Sequence, residues 1–169
     1  MGLRDELLSR HGVNSLGGVT VIANTGDDIW LSGIRLQPDI DSVIYGLAGV
    51  KDLERGWGRI DESERVSSEL RAYGAGWPWF TLGDLDIGTH LARTGWLREG
   101  ISLNEIVKRL VSRWGVGLTI LPMTESEVDT QVLFSGEGGE ESMHFQEWWT
   151  RYRADIPPRA FINPGIELS

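Results

Sequence analysis

The chain contains no cysteine, only three histidines, and no apolar run approaching the ~20 residues that span a bilayer. Without cysteine there is no disulfide framework, zinc thiolate site or thiol nucleophile. Cations are also scarce, with 16 Lys and Arg against 25 Asp and Glu, a formal charge of −9. Attraction to nucleic acid or an anionic membrane rests on neutralising phosphates, so a general affinity for either is excluded. An anionic small molecule would need a local remedy for the repulsion. The opening Met-Gly-Leu-Arg-Asp-Glu offers no apolar signal region, so the expected compartment is the cytoplasm.

The residues that are present describe a globular protein. The 169 residues are 40% hydrophobic, with 22 glycines and 8 tryptophans. That length suits one domain, which at this size buries roughly 70% of its unfolded surface. Leu3, Leu7 and Leu8 predict a helix over 3–10, and Val19-Thr20-Val21-Ile22-Ala23 predicts a parallel-sheet strand buried on both faces. Helices are expected over 42–48, from the capping arrangement at 61–64 to about Tyr73, from Asp84 or Asp86 to Leu97, and over 106–114 behind the capping box Ser102-x-x-Glu105. A second buried strand is predicted at 118–121, a hairpin pairs 131–134 with 142–145, and a last helix covers 146–153. The expectation is one α/β unit with a Rossmann-like parallel sheet and a helical insertion.

Open parallel sheets bind ligands at the carboxyl ends of their strands. There the predicted strand 19–23 runs into Asn24-Thr25-Gly26-Asp27-Asp28, followed by Asp39 and Asp41. Carboxylates without cysteine suit a hard cation such as Mg²⁺, which would also supply the missing positive charge. The same acids fit simpler roles: Asp39 and Asp41 as helix caps, Asp27 and Asp28 as a solvated turn. A second group, Asp84, Thr89, His90 and Arg93, either lines a site with Arg93 on a phosphate or belongs to a capped surface helix. In the third, His144 to Arg153, Trp148 and Trp149 are either core or a stacking surface for a flat heterocycle with Arg151 or Arg153 at its polar end. Trp57, Trp77 and Trp79 fit structural roles equally. Gly17-Gly18 precedes its strand, so it is not a phosphate-cradling turn.

Six segments in order resemble the CofD family, the 2-phospho-L-lactate or phosphoenolpyruvate transferases of coenzyme F-420 biosynthesis. They are Asn24-Thr25-Gly26-Asp27-Asp28-Ile29-Trp30, Pro38-Asp39-Ile40-Asp41-Ser42-Val43-x-Tyr45, Arg55-Gly56-Trp57-Gly58, Leu82-Gly83-Asp84-x-Asp86-x-x-Thr89-His90-Leu91-x-Arg93, Leu121-Pro122-Met123-Thr124 and His144-Phe145-Gln146-Glu147-Trp148-Trp149. The resemblance implies transfer of a phospholactyl or phosphoenolpyruvyl group from a guanosine diphosphate-linked donor to a ribityl hydroxyl of the deazaflavin Fo, with GMP released and Mg²⁺ as cofactor. It implies Asp28, Asp39 and Asp41 as metal ligands and catalytic groups, with Asp41 the foremost contact to Fo or metal. Asn24, Thr25, Asp41, Thr81, Asp84, His90 and Arg93 are the implied substrate-binding residues, Thr81 standing where the family can carry Lys. It further implies a homodimer, and a single partial domain over 1–169 that lacks the family's N-terminal Gly-rich strand-turn and its C-terminal part. Two alternatives remain open: a non-catalytic nucleotide-sugar-binding regulator of the same fold, or an inactive fragment.

Overall fold

The computed structural model describes residue 6, residues 18–153 and residues 155–164. The helix predicted over 3–10 lies outside them, apart from Glu6, which is helical. The described chain is α/β. Strand β1 (Thr20–Ala23) pairs in parallel with β4 (Thr119–Pro122), from Thr20 opposite Thr119 to Ala23 opposite Pro122. Between them come a hairpin, β2 (Ile29–Leu31) and β3 (Ile34–Leu36), and four helices: α1 (Pro38–Ala48), α2 (Arg65–Ala72), α3 (Asp84–Arg98) and α4 (Leu103–Trp114). After β4, strands β5 (Gln131–Gly136), β6 (Gly139–His144) and β7 (Pro158–Ile162) form an antiparallel sheet in the order β6-β5-β7, with α5 (Phe145–Tyr152) between β6 and β7.

The main core lies between the parallel strands and helices α1 and α4, where Ile40, Ile106 and Val107 are completely buried. Leu103, Ile106, Val107 and Leu110 recur at helical spacing along α4 and give it one apolar stripe. Its start follows the predicted capping box, because the Ser102 side chain accepts a hydrogen bond from the Glu105 N–H. Two smaller clusters complete the interior. Leu36, Leu82 and Ile87 pack between the hairpin and α3, while Val132, Phe134 and Trp148 pack between the antiparallel sheet and α5.

The structure departs from the sequence reading in five places. β1 is not buried on both faces, for Val21 and Ala23 face the helices while Ile22 is 71% exposed. Helix α1 begins at Pro38, with Gln37 as an N-cap that makes no side-chain cap bond, so neither Asp39 nor Asp41 is a capping residue. Proline suits that position because the N–H it lacks would have no helical partner. The hairpin β2–β3 was not foreseen. Its two-residue turn, Ser32-Gly33, has φ of 46° and 78°, the left-handed pair that matches the twist of flanking strands. Strand β7 was also missed, since Pro158 and a polar neighbourhood hide an edge strand. The predicted hairpin is present but its turn is shorter, at Glu137-Gly138, and Phe145 opens α5 instead of closing β6.

Truncating Ile106 to alanine in the main core should lower the free energy of unfolding by about 2–5 kcal/mol. The same change at Leu53, which is 85% exposed, should stay within about 0.5 kcal/mol. Urea midpoints of the two variants against the parent chain provide the measurement.

Candidate functional site

Helix α3 violates the amphipathic rule in an informative way. Its buried face is Asp86, Ile87, His90, Arg93 and Thr94, so the stripe turned inward is mostly polar. Sequences tolerate such a conflict mainly where function requires it. Arg93 is 0% exposed, pairs through Nη2 with Asp41 of α1, donates through Nη1 to the Arg35 carbonyl of β3 at 3.3 Å, and lies 2.9 Å from His90 Nδ1. Arginine has no acceptor, so His90 Nδ1 is unprotonated in this contact and Nε2 carries the hydrogen, 3.4 Å from Asp86 Oδ2. Thr94 accepts from the Arg35 N–H at 2.8 Å and donates to the His90 carbonyl at 2.7 Å. The free backbone groups of β3 are thus satisfied by the side chains of α3.

Burial pushes the Asp41 carboxyl upward, the Arg93 guanidinium pulls it back, and Asp41 in turn holds Arg93 charged. Asp86 is also buried, yet its carboxyl is held low by the adjoining His90 imidazole and the Tyr45 hydroxyl. That hydroxyl donates to Asp86 Oδ1 at 2.8 Å and sits 2.8 Å from Thr89 Oγ1. Its single proton goes to the carboxylate, so Thr89 is the donor in the second bond.

A second set of acids lies at the carboxyl end of β1. The Asn24 side chain shapes the turn, accepting from the Gly26 N–H at 3.0 Å and donating to Asp39 Oδ2 at 2.8 Å. Asp28 is buried, accepts from Gln37 Nε2 at 2.5 Å and lies 3.8 Å from Arg35 Nη2. Its carbonyl accepts from His144 Nε2 at 3.0 Å, while His144 Nδ1 accepts from the Gln146 N–H at 3.1 Å. Both ring nitrogens are therefore used in one neutral tautomer, and burial lowers the affinity of the ring for a second proton. Asp27 is pushed up to about 8, first by burial and then by the Asp39, Asp28 and Asp41 charges. Asp28 is raised to about 7, mainly by burial.

Asp28 lines a small cavity of ≈ 220 Å³ with Arg35 and Gln37, and a separate cavity of ≈ 610 Å³ lies between α1, α3 and the aromatic residues. Asp41, Asp86 and His90 line one side, and Trp57, Trp79, Phe80 and Trp149 supply flat apolar surface. Asp41 belongs to both the acidic cluster and the cavity wall. Its Oδ2 is buried without a hydrogen-bond partner, as are Asp27 Oδ1, Asp28 Oδ1 and the Thr25 hydroxyl. Such groups are rare in folded proteins and call for a ligand or ion. Orphaned carboxylate oxygens from Asp27 and Asp28, beside a half-buried Asp39, are the donor chemistry of a hard divalent cation.

The candidate residues separate into three groups. Asp41, Thr81 and His90 line the cavity, whereas Asn24, Thr25, Asp28 and Asp39 lie at the acidic turn. Asp84 and Arg93 are engaged elsewhere: Asp84 accepts from the Ser63 N–H at 2.9 Å and Oγ at 2.7 Å, and Arg93 is sealed in its ion pair. Among the described residues, the potential ligand atoms that converge within 4.8 Å belong to Asp41, Asp86 and His90, a group that excludes Asp28 and Asp39. Arg93 and Tyr45 already occupy part of that trio and it includes an imidazole, whereas the turn acids offer carboxylate oxygens alone but do not converge within that distance. Asp86 and Tyr45 had not been picked out as site residues. The spacing of Asp86 and His90, at i and i+4, was the available signal. Arg71 Nη1 donates to Thr81 Oγ1 at 3.1 Å and brings to the cavity rim a cation that no local motif announced. Trp149 and Arg153 line the cavity, Arg151 pairs with Glu147 at 2.5 Å, and Trp148 is core.

A largely apolar cavity with one charged wall, together with an acidic turn at the carboxyl end of a parallel strand, defines an α/β protein built to bind a ligand. The family model for 2-phospho-L-lactate transferase CofD matches residues 5–165, and the chain belongs to that family. It is 47% identical over 167 residues to a phosphoenolpyruvate transferase of Thermobifida fusca, covering 98% of this chain and 52% of that protein. It is 44% identical over 149 residues to the phosphoenolpyruvate transferase of Streptomyces coelicolor, covering 88% and 47%. For that of Mycobacterium marinum the figures are 42% over 158 residues, 92% and 48%. The chain spans about half the length of these curated relatives.

The buried acids give a pH dependence of definite sign. With Asp27 at about 8 and Asp28 at about 7 against an ordinary 3.8, the native state holds protons that the unfolded chain has already lost. Stability therefore falls as pH rises through that window. In EDTA, the Tm should drop as pH rises from about 5 to about 8 and level off above that, Asp27→Asn should flatten the drop, and Mg²⁺ should oppose it at the alkaline end. Scanning calorimetry across the range tests this; a Tm that climbs with pH would overturn the assignment.

Proposed function

We propose that the chain provides the acceptor side of a transferase of coenzyme F-420 biosynthesis, binding the deazaflavin Fo in the aromatic cavity with its ribityl chain directed at Asp41. The relatives' name favours phosphoenolpyruvyl over phospholactyl as the transferred group. The observation that carries the reading is Asp41 itself: one carboxylate oxygen is fixed by Arg93, and the other, 3.4 Å from His90 Nδ1, is buried without a hydrogen bond on a residue of the cavity wall.

In the proposed reaction the terminal ribityl hydroxyl oxygen bonds to the donor phosphorus adjacent to the transferred acid. The phosphorus–oxygen bond to GMP breaks, and GMP leaves with its phosphate. Asp41 Oδ2 would accept the hydrogen bond of the hydroxyl, orient the nucleophile and take its proton. Burial, which raises the Asp41 carboxyl, favours that exchange near neutral pH. Asp27, Asp28 and Asp39 would hold Mg²⁺, which when bound supplies neutralising charge to the donor phosphates. His90 remains a cavity contact, and Trp149, 50% exposed, offers its ring face to the heterocycle. Donor binding, dimerisation and a cytoplasmic location belong to the same proposal. Among the described residues no helix is long and apolar enough to cross a membrane.

Asp41→Asn is a poor probe, because it leaves the buried Arg93 charge uncompensated and disturbs fold and site together. Trp149→Ala is cleaner. It should weaken Fo binding about tenfold, read as quenching of deazaflavin fluorescence, with little change in Tm. Mg²⁺ should strengthen the binding of a phosphorylated donor, with GMP release measured in parallel. A chain that ignores Fo and binds a uridine nucleotide would instead be a nucleotide-sugar-binding module, and one that binds neither would be an inactive fragment.

A further inference from the structure

Glu62 is a fully buried carboxylate outside the acidic cluster and the cavity lining, and its role is legible from what surrounds it. Oε1 accepts from Arg55 Nη2 at 2.7 Å and from the Arg59 N–H at 3.0 Å, and Oε2 lies 3.2 Å from the Asp86 N–H, which donates to it. The first two donors belong to the loop that carries Trp57. The third belongs to the first turn of α3, which carries Asp86 and His90. A single side chain therefore ties the aromatic wall of the cavity to its charged wall.

The surrounding residues are fitted to this carboxylate. At α3 the N-cap is Gly83, which makes no side-chain cap bond; the Asp84 N–H goes to the Ser63 carbonyl at 2.8 Å and the Leu85 N–H to Asp84 Oδ1 at 2.8 Å. Glu62 thus completes the helix start in place of a local cap. A Cβ at position 83 would overlap the Glu62 carboxyl, although φ there is an ordinary −75°, so the demand for glycine is purely one of space. Gly58 meets the same carboxyl and has φ of +69° as well. Arg55, held by Glu62 and by Asp52 at 2.8 Å, places its guanidinium 4.6 Å from the centre of the Trp57 ring. That cation–π contact passes the constraint from Glu62 to the indole.

We infer that Glu62 is the positioning residue for Trp57: through Arg55 it sets the distance between that ring and the wall formed by α3, and so the thickness of flat ring the cavity accepts. The inference rests on the proposed use of the cavity for a flat heteroaromatic ligand. Glu62 touches no reacting atom and acts only through the loop.

The test uses two variants that reach Glu62 by different routes. Glu62→Gln keeps its shape and removes the charge that holds Arg55. Gly83→Ala keeps every charge and displaces the carboxylate with one methyl group placed outside the cavity lining; Gly88→Ala, in open space on the same helix, is the control. The chain is labelled with 5-fluorotryptophan, and the Trp57 resonance is assigned by its absence in Trp57→Phe. Glu62→Gln and Gly83→Ala should each shift or broaden the Trp57 fluorine signal without ligand, at temperatures where both are folded. Each should weaken Fo binding about tenfold, the double variant being no worse than the singles. Gly88→Ala should change neither. If the Trp57 signal and Fo affinity match the parent in both variants, the inference is wrong. If the parent chain does not bind Fo, the proposed function fails, while the fluorine spectra still decide whether Glu62 positions Trp57. Should Glu62→Gln fail to fold, Gly83→Ala carries the decision alone.

Discussion

The structure depends on a guanidinium with no access to water. Arg93 is fully buried, and a charge in that position persists only if the protein supplies an opposite charge and hydrogen-bond acceptors. Asp41 gives the charge, the Arg35 carbonyl and His90 Nδ1 give the acceptors, and meeting that demand fixes the hairpin, α1 and α3 relative to one another. The arrangement also determines how Asp41 can serve a ligand. One oxygen is committed to the interior, leaving the other as a rigidly held acceptor at the cavity. Preorganisation of this kind is what positioning in group transfer requires.

The acids at the end of β1 follow the opposite logic. Asp27 and Asp28 are buried without enough countercharge, and the result is raised carboxyls and oxygens without partners. The protein carries this electrostatic strain in a turn held by Asn24 and backed by His144, whose neutral ring braces the Asp28 carbonyl. A site of this design lowers the stability of the free chain, and under the proposed function a bound cation would restore it.

How far the sequence could be read depended on whether a feature was local. The helices and the capping box at Ser102 were legible because their signals lie within a few residues. Asp41 could be singled out by its spacing from Asp39 and by the resemblance, but its true partner, Arg93, lies 52 residues away and no pattern announces that pairing. The hairpin β2–β3 escaped because three-residue strands show no period and Ser-Gly is a weak turn signal. β1 misled because Val-Thr-Val-Ile reads as a two-sided buried strand, whereas the surrounding elements cover one face. Glu62 looked like part of a helix start. It is one, but for α3 and not for the helix it precedes, and only the folded chain shows which.

The order of the cavity walls along the chain bears on its assembly. The acidic turn, Asp41 and His90 are all in place by residue 93, close enough in sequence to assemble around Arg93 once α3 docks. Trp149 and Arg153, however, arrive on α5, after the intervening β4 and the β5–β6 hairpin. Closing the cavity thus needs contacts of long sequence separation, which form late because the loop entropy must be met first. A chain emerging from the ribosome would hold its charged groups and the rings of Trp57, Trp79 and Phe80 well before Trp149 arrived to close the pocket.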